Sequence, residues 1–332
     1  MKRKILLFVS LFFLLFSSFI ASLILGGEKI SLRCLLTVLS NPAGENPIST
    51  IVWRIRLPRS LLALMVGAGL ATCGCVFQGI LRNPLAEPYT LGISGGAALG
   101  AVLGEIFFSH LLGYYSLPLT SFLGALFSIF LVYFFASQKK FNPTGLILSG
   151  VILSFLFSSF VLLIFALIRP ERFHTIILWL MGDLSAAPTE IIRIVSFCII
   201  SGFVLLVFLS RKLDILTLGE EKATSLGVEP ESGKKIFFLL ASLIVSACVS
   251  SAGMIAFVGL IVPHFFRWIT GTEHPTLLPA AFLGGAIFLL LADTCARTII
   301  YPVEIPVGVI TGIIGGIFFL IFFLKSKKWE IF

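Results

Sequence analysis

Apolar runs of about 20 residues recur along the chain, and short polar segments separate them. A helix of that length crosses roughly 30 Å of hydrocarbon, and it satisfies its own backbone hydrogen bonds inside lipid. The short alternating segments of a membrane β-barrel do not occur. The pattern therefore predicts an all-α integral membrane protein, a single domain over residues 1–332 with about ten transmembrane helices. The predicted spans are 5–26, 57–81, 91–108, 118–136, 144–168, 191–210, 235–252, 254–268, 278–296 and 306–324.

Two of the predicted spans have unusual features. The run 254–268 is short and contains Pro263, so we expect a half-helix or a re-entrant segment. The first run follows Lys2, Arg3 and Lys4 as in a signal peptide, but it is too long for a usual h-region and no clear cleavage site follows. We therefore predict a retained first span.

Composition and charge support the membrane assignment. Charged residues make up 12% of the chain, against roughly a quarter in soluble domains. The net charge of +8 does not indicate a nucleic-acid partner, because Lys and Arg lie at the ends of spans. Most of them fall on the cytoplasmic side if the amino terminus is cytoplasmic. An even number of spans then places both termini in the cytoplasm.

Two segments between spans are longer than a simple turn and show helical features. In 214–229, apolar residues at helical spacing and flanking glycines predict one or two short helices at the membrane surface, with a solvated basic loop as the alternative. The residues concerned are Leu218, Gly219, Glu220, Ala223, Leu226 and Gly227. On the other side, a short external surface helix is predicted at about 176–187.

Candidate chemistry within the spans is sparse. Asp293 and Arg297 are four residues apart, so they can pair on one helix face. The cysteines lie mostly in apolar runs and indicate packing; no disulfide framework or metal site is predicted. Residues 227–235, GVEPESGKK, depart from the phosphate-binding loop in spacing and in the residue after the lysine. The chain is therefore not expected to be an enzyme or to bind ATP by that route.

Two spans carry small residues in helical register, and these suggest transport. One set is Gly150, Ser154 and Ser158, and the other is Gly308, Gly312 and Gly316. Such faces permit close helix packing. Alternatively, these residues line a wide passage that must not bind its cargo tightly. Few charges lie within the spans, which argues against an ion-coupled carrier.

Longer stretches of the sequence resemble a known family. Residues 54–101, RIRLPRSLLALMVGAGLATCGCVFQGILRNPLAEPYTLGISGGAALGA, resemble the signature of the FecCD-type permeases, the membrane subunits of bacterial ABC importers for iron-siderophores, haem and cobalamin. Later segments agree in order and spacing: LGEEKATSLGV at 218–228, SSAGMIAFVGLIVPHFFRW at 250–268, LLLADTCAR at 289–297 and EIPVGVITGIIGG at 304–316.

The resemblance implies a type II ABC importer permease fold in a bacterial or archaeal plasma (inner) membrane. It implies a homodimer with one passage between the fifth and tenth helices of each subunit. A cytoplasmic ABC ATPase dimer would dock on the 214–229 helices and would hold ATP and magnesium, so this chain binds no cofactor. An extracytoplasmic substrate-binding protein would deliver cargo.

The resemblance also assigns residue roles. Arg56, Arg59 and Arg297 would dock the binding protein, with interfacial snorkelling as the alternative. The cytoplasmic gate would combine the turn Asn83, Pro84 and Leu85 with Pro143 and Thr144 at the start of the fifth helix. In the turn, proline stiffens the backbone and Asn83 can cap its polar groups.

The resemblance thus implies a permease subunit that imports an iron(III)-siderophore or a related iron chelate, the cargo that is most frequent in the family. Haem and cobalamin are the alternative cargoes. The alternatives of another class are an ATP-independent secondary carrier or channel and a membrane-bound enzyme.

Overall fold

The computed structural model describes residues 2–40, 47–138, 140–168, 173–185 and 187–325. These residues form α-helices, a π-helical segment and two 3-10 turns, and no strand occurs among them. The α-helices are α1 (Lys2–Ile24), α2 (Leu32–Ser40), α3 (Pro47–Thr50), α4 (Leu57–Leu81), α5 (Ile93–Phe107), α6 (Ser109–Leu112), α7 (Ser116–Ser137), α8 (Pro143–Leu167), α9 (Phe173–Leu180), α10 (Thr189–Thr217), α11 (Glu220–Ser225), α12 (Pro230–Ala252), α13 (Val258–Thr270), α14 (His274–Thr298) and α15 (Val307–Lys325). The π-helix Ile51–Arg56 joins α3 to α4, and the 3-10 turns are Pro88–Leu91 and Gly113–Tyr115.

The predicted all-α membrane fold is confirmed. Within the described residues, seven helical segments are long and apolar enough to cross a membrane, and α5 and most of α15 are shorter apolar helices. Helix α13 has 13 residues, which is about 20 Å and less than the hydrocarbon thickness. It matches the short helix expected after position 254. The count of ten spans stays a prediction.

Helix α4 forms the centre of the bundle because glycines let its neighbours approach closely. A Cβ added to Gly67 would lie 2.2 Å from the carbonyl oxygen of Gly285 in α14, and one added to Gly74 would lie 1.8 Å from that of Gly259 in α13. Small residues at such crossings permit backbone contact between membrane helices. Nearly all of α4 is buried as a result.

Helices α5 and α7 form a second close pair. A Cβ added to Gly96 would lie 2.5 Å from the carbonyl oxygen of Gly124, and one added to Gly104 would lie 1.9 Å from the hydroxyl of Thr120. The glycine-rich run at the start of the third predicted span therefore serves helix packing.

Two helices end at residues other than those of the predicted segments. The span predicted at 191–210 continues as α10 to Thr217, because charged residues mark where a helix leaves the membrane and do not end it. Only α11 remains as a separate short helix within 214–229. The external helix predicted at 176–187 is α9, which ends at Leu180 just before Gly182 turns the chain with φ +88°. Residue 186 lies outside the described residues.

Candidate functional site

An ionic cluster joins the start of α4, the end of α14 and the segment before α15. Arg59 Nε donates to Asp293 Oδ1 at 2.8 Å, and Arg59 Nη1 donates to Glu304 Oε2 at 2.6 Å. Asp293 Oδ2 lies 3.0 Å from Arg297 Nε, which confirms the predicted pairing on one helix face. Asp293 is fully buried, and two flanking guanidinium groups compensate the cost of burying its charge.

Arg56 has a different environment. Its Nη1 donates to the carbonyl oxygens of Leu23 and Ile24 at 2.7 and 2.9 Å, and its Nη2 donates to the carbonyl oxygen of Glu28. These carbonyls lie at and just beyond the end of α1, where a helix lacks internal partners. Arg56 therefore caps α1 and holds it against the start of α4.

The three arginines predicted to dock a partner gather in one region of the structure. Each is less than 10% exposed, and each contacts acceptors within the chain. This differs from snorkelling, in which the charged group extends into water. Asp293 forms ion pairs with Arg59 and Arg297, and Glu304 forms one with Arg59. Their docking role stays a prediction.

The turn predicted to form the first part of the cytoplasmic gate follows α4 directly. Arg82 ends the helix in the left-handed region at φ 50°. Asn83 Oδ1 then accepts the backbone N–H of Leu85 at 2.9 Å, which confirms the predicted capping by this side chain. Leu85 is 42% exposed, so the tip of the turn presents an apolar side chain beside Pro84.

The second predicted part of the gate is the first turn of α8. Asn142 Oδ1 accepts the backbone N–H of Gly145 at 2.5 Å, and Pro143 takes the first helical position. Asparagine at the N-cap followed by proline is a strong helix start. Thr144 is exposed in this turn, and the gating role of both residues stays a prediction.

Beyond the turn, residues 86–91 reach the break between α12 and α13. The backbone N–H of Phe257 donates to the carboxylate of Glu87, and that of Ile255 donates to the Tyr89 hydroxyl at 2.8 Å. Phe257 has φ +69° and caps α13. Because a bend within a membrane protein leaves backbone N–H groups unpaired, these two side chains supply acceptors that the bend itself lacks.

The predicted passage face of α8 is partly a packing face. A Cβ added to Gly150 would lie 2.7 Å from the Cα of Leu91, so the glycine allows α8 to contact the 3-10 turn. Ser154 lies half-buried against Gly95 of α5, whereas Ser158 is exposed. The packing interpretation of Gly150 is therefore supported, and its place in a passage stays a prediction.

The glycines of α15 also include one that packs against other segments and others that do not. A Cβ added to Gly308 would lie 2.3 Å from the carbonyl oxygen of Met181 and 2.6 Å from that of Met254. By contrast, added Cβ atoms at Gly312 and Gly316 meet no atom within 4 Å. The last two glycines thus face open space in the single chain.

The segment predicted to contact an ATPase is built around α11. Gly219 and Gly227 flank the helix with φ of +107° and +79°, a region that favours glycine. Ala223 is fully buried against the bundle, whereas Leu218 and Leu226 are 52% and 57% exposed. The segment therefore presents two apolar side chains outward from an anchored helix.

An ion pair fixes α11 to the next helix. The ammonium of Lys234 donates to the Glu220 carboxylate, and this hydrogen bond, helped by the nearby charge of Arg82, lowers the pKa of Glu220. A Cβ added to Gly219 would lie 3.5 Å from Arg82 Nη1. The predicted coupling segment and the predicted gate turn are therefore neighbours.

Sequence reasoning missed several residues that define these sites. Glu304, Glu87 and Tyr89 were not singled out for a role, although a carboxylate beside a membrane span is itself a signal. Gly74 lies in a small-residue run that a search for close helix contacts could have found. Within the described residues, no group of three or more His, Cys, Asp or Glu side chains could hold a metal ion.

Comparison with known proteins gives one family. The model of the FecCD transport family matches residues 13–325. The iron(3+)-hydroxamate import system permease protein FhuG of Bacillus subtilis is 35% identical over 89% of this chain and 89% of its own length. The hemin transport system permease protein HmuU of Yersinia pestis is 36% identical over 85% and 84%. Other relatives are named for ferric dicitrate, cobalamin and molybdate import.

One solved structure has the same fold over almost the whole length. It is described as an inward-facing conformation of a metal-chelate type ABC transporter. It is 32% identical, covers 97% of this chain and 100% of its own, and has a TM-score of 0.84. The similarity therefore extends from sequence motifs to the arrangement of the helices.

Proposed function

This chain belongs to the FecCD transport family of ABC importer permeases, and from that membership we propose that it carries an iron(III)-siderophore or a related iron chelate inward. The observation that carries the proposal is the family match over residues 13–325. Relatives named for hydroxamate-bound iron and ferric dicitrate support an iron chelate. Haem and cobalamin are the alternative cargoes, each with a relative named for it, and the molybdate relative widens the range.

Two partner proteins complete the proposed importer. An extracytoplasmic binding protein delivers cargo to the end of the bundle that carries Arg59 and Arg297. A cytoplasmic ATPase dimer contacts α11 and holds ATP and magnesium, so that this chain needs no cofactor of its own. The two sites lie at opposite ends of α4 in the sequence, since Arg59 is in its first turn and Arg82 follows its last.

The proposed passage needs a second copy of the chain. In a homodimer, α8 and α15 of each subunit would face the central axis. The open space at Gly312 and Gly316 supports this assignment for α15. The membrane would be the bacterial or archaeal plasma (inner) membrane, with both termini in the cytoplasm.

The proposed cycle is alternating access. The loaded binding protein docks outside, ATP closes the partner ATPases, and α11 transmits the movement to the neighbouring gate turn. Because a ligand shifts a conformational equilibrium only by its differential affinity for the two states, ATP must bind one arrangement of the complex more tightly. Hydrolysis then resets the complex.

Reconstitution tests the proposed function directly. We expect proteoliposomes that contain the permease, the ATPase and the binding protein encoded with it to accumulate a ferric hydroxamate only when ATP is supplied. Haem and cobalamin, tested in parallel, identify the alternative cargoes. Accumulation by the permease alone under an ion gradient would instead establish a secondary carrier and would overturn the proposal.

A phenylalanine at Gly312 tests the passage. Because this position faces open space, we expect Gly312→Phe to fold normally and to reduce ATP-driven uptake at least tenfold, about 1.4 kcal/mol on the transport barrier. Ile317→Phe is the matched control, since Ile317 is also exposed on α15 but points about 140° away. Equal uptake by the two variants would exclude Gly312 from the passage.

A further inference from the structure

The two carboxylates on Arg59 differ in accessibility. Asp293 has no exposed side-chain surface, whereas the side chain of Glu304 is 56% exposed. Both hold the same guanidinium, one through Nε and the other through Nη1. Asp293 is therefore a partner enclosed within the bundle, and Glu304 is a partner at its surface.

A cavity lies beside the contact of Arg59 with Glu304. It has a volume of about 220 Å³ and is lined by Arg59, Glu304, Asp183, Ser185 and Pro306, among others. The Asp183 Oδ1 already accepts hydrogen bonds from the backbone N–H and the hydroxyl of Ser185, at 2.7 and 2.6 Å. Arg59 thus supplies the cationic group in the lining, and Glu304 accepts the hydrogen bond of its Nη1.

Glu304 lies in the segment just before α15, which is attached to the rest of the bundle. The next residue, Ile305, donates its backbone N–H to the carbonyl oxygen of Ala296 at 3.1 Å, and Val307 donates to that of Gly182 at 3.2 Å. The side-chain contact to Arg59 adds a third attachment, to α4. Loss of that contact would loosen the start of the helix that contains Gly312 and Gly316.

We propose that Glu304 occupies the place of a carboxylate that the docking binding protein supplies, and that docking displaces it from Arg59. This inference rests on the proposed function. Asp293 keeps Arg59 oriented during the exchange, because its contact is through a different nitrogen and is fully buried. Displaced Glu304 releases one attachment of α15, so arrival of the loaded partner is transmitted to the passage helix.

The exchange has a consequence for affinity. One charge-assisted hydrogen bond replaces another of the same kind, so the internal carboxylate competes with the incoming one. The binding protein docks only on molecules in which Arg59 is free. Its apparent affinity is therefore its intrinsic affinity multiplied by the fraction of such molecules. Removing the charge of Glu304 while keeping its shape should therefore tighten docking.

The test measures binding of the substrate-binding protein encoded with this permease to the permease–ATPase complex in nanodiscs. We expect the Glu304→Gln complex to bind roughly tenfold more tightly than wild type. This corresponds to Arg59 being free in about one tenth of wild-type molecules. Glu190→Gln removes the same charge from an exposed position at the start of α10 and controls for general electrostatic attraction. Equal affinities of Glu304→Gln and Glu190→Gln would overturn the exchange.

Hydrogen exchange supplies a second readout that does not depend on affinity. In wild type, we expect docking to increase amide exchange at Ile305 and Val307, whereas in Glu304→Gln exchange there is already raised without the partner. Unchanged exchange at both residues would contradict the release of α15. If the wild-type permease–ATPase complex does not bind the substrate-binding protein, the docking proposal itself fails, and this inference fails with it.

Discussion

Gly74→Ala should prevent the chain from reaching a stable fold, although it adds a single methyl group. The new Cβ would lie 1.8 Å from the Gly259 carbonyl oxygen and 2.6 Å from its carbonyl carbon. These are backbone atoms, so no rotamer change relieves the overlap. Overpacking of a rigid core costs typically 1–3 kcal/mol and occasionally more, and we expect at least about 3 kcal/mol here.

Buried contacts hold α13 against α4 at this crossing. Gln78 Nε2 donates to the same Gly259 carbonyl oxygen at 3.1 Å, and Gln78 Oε1 accepts from Arg267 on the following turns of α13. A Cβ added to Gly259 itself would lie 2.8 Å from Pro88 Cδ and 2.9 Å from the Leu70 carbonyl oxygen of α4. Separation of α4 from α13 would therefore break buried polar contacts, which is costly where no water replaces them.

Detergent extraction followed by size-exclusion chromatography and thermal unfolding measures this effect. Gly312→Ala is the matched control, because an alanine there meets no atom within 4 Å. Alanine favours the helix over glycine by roughly 0.5–1 kcal/mol, so the control should fold at least as well as wild type. A Gly74→Ala protein as stable as Gly312→Ala would refute the close contact of α4 with α13.

The helices were predictable from the sequence because burial in lipid imposes a length on each apolar run. Their ends were less predictable. Arg211 and Lys212 suggested that a span ends near 210, but α10 continues to Thr217. Charge reports where a helix enters water, whereas its end depends on a change in backbone conformation, here at Gly219 with φ +107°.

Whether a contact could be predicted depends on how far apart its two residues lie along the chain. The Asn83 cap and the Asp293–Arg297 pair were predictable because each joins residues only two to four positions apart. Arg59 and Asp293 are 234 positions apart, and no local pattern pairs them. The attachment of Glu87 to Phe257 is equally remote. The family resemblance therefore marked the arginines predicted to dock a partner, and local spacing marked the Asp293–Arg297 pair, but neither joined Arg59 to Asp293 or Glu304.

Aspartates at Leu218 and Leu226 should abolish coupling to the ATPase. Both leucines are more than half exposed at the two ends of α11, and an apolar side chain buried in an interface contributes about 1.5–3 kcal/mol. Loss of both corresponds to about 3–6 kcal/mol, or at least a hundredfold in affinity. We expect the double variant to lose co-purification with the ATPase and ATP-driven uptake.

The substitutions are chosen to leave the fold intact. Ala223 and the Glu220–Lys234 ion pair, which anchor α11, are unchanged. Ile269→Asp is the matched control, because Ile269 is 49% exposed at the end of α13 and lies outside the coupling segment. Normal ATPase binding and normal uptake by the Leu218→Asp, Leu226→Asp variant would remove α11 from the coupling mechanism.

A third outcome would refine the mechanism and reject the docking role of the leucines. If the double variant binds the ATPase but does not transport, α11 transmits movement without providing the main contact. The proximity of Gly219 to the Arg82 guanidinium then becomes the important feature, since it connects α11 to the turn after α4. In that case Arg82→Ala should reproduce the defect with ATPase binding preserved, because its guanidinium is the group that approaches Gly219.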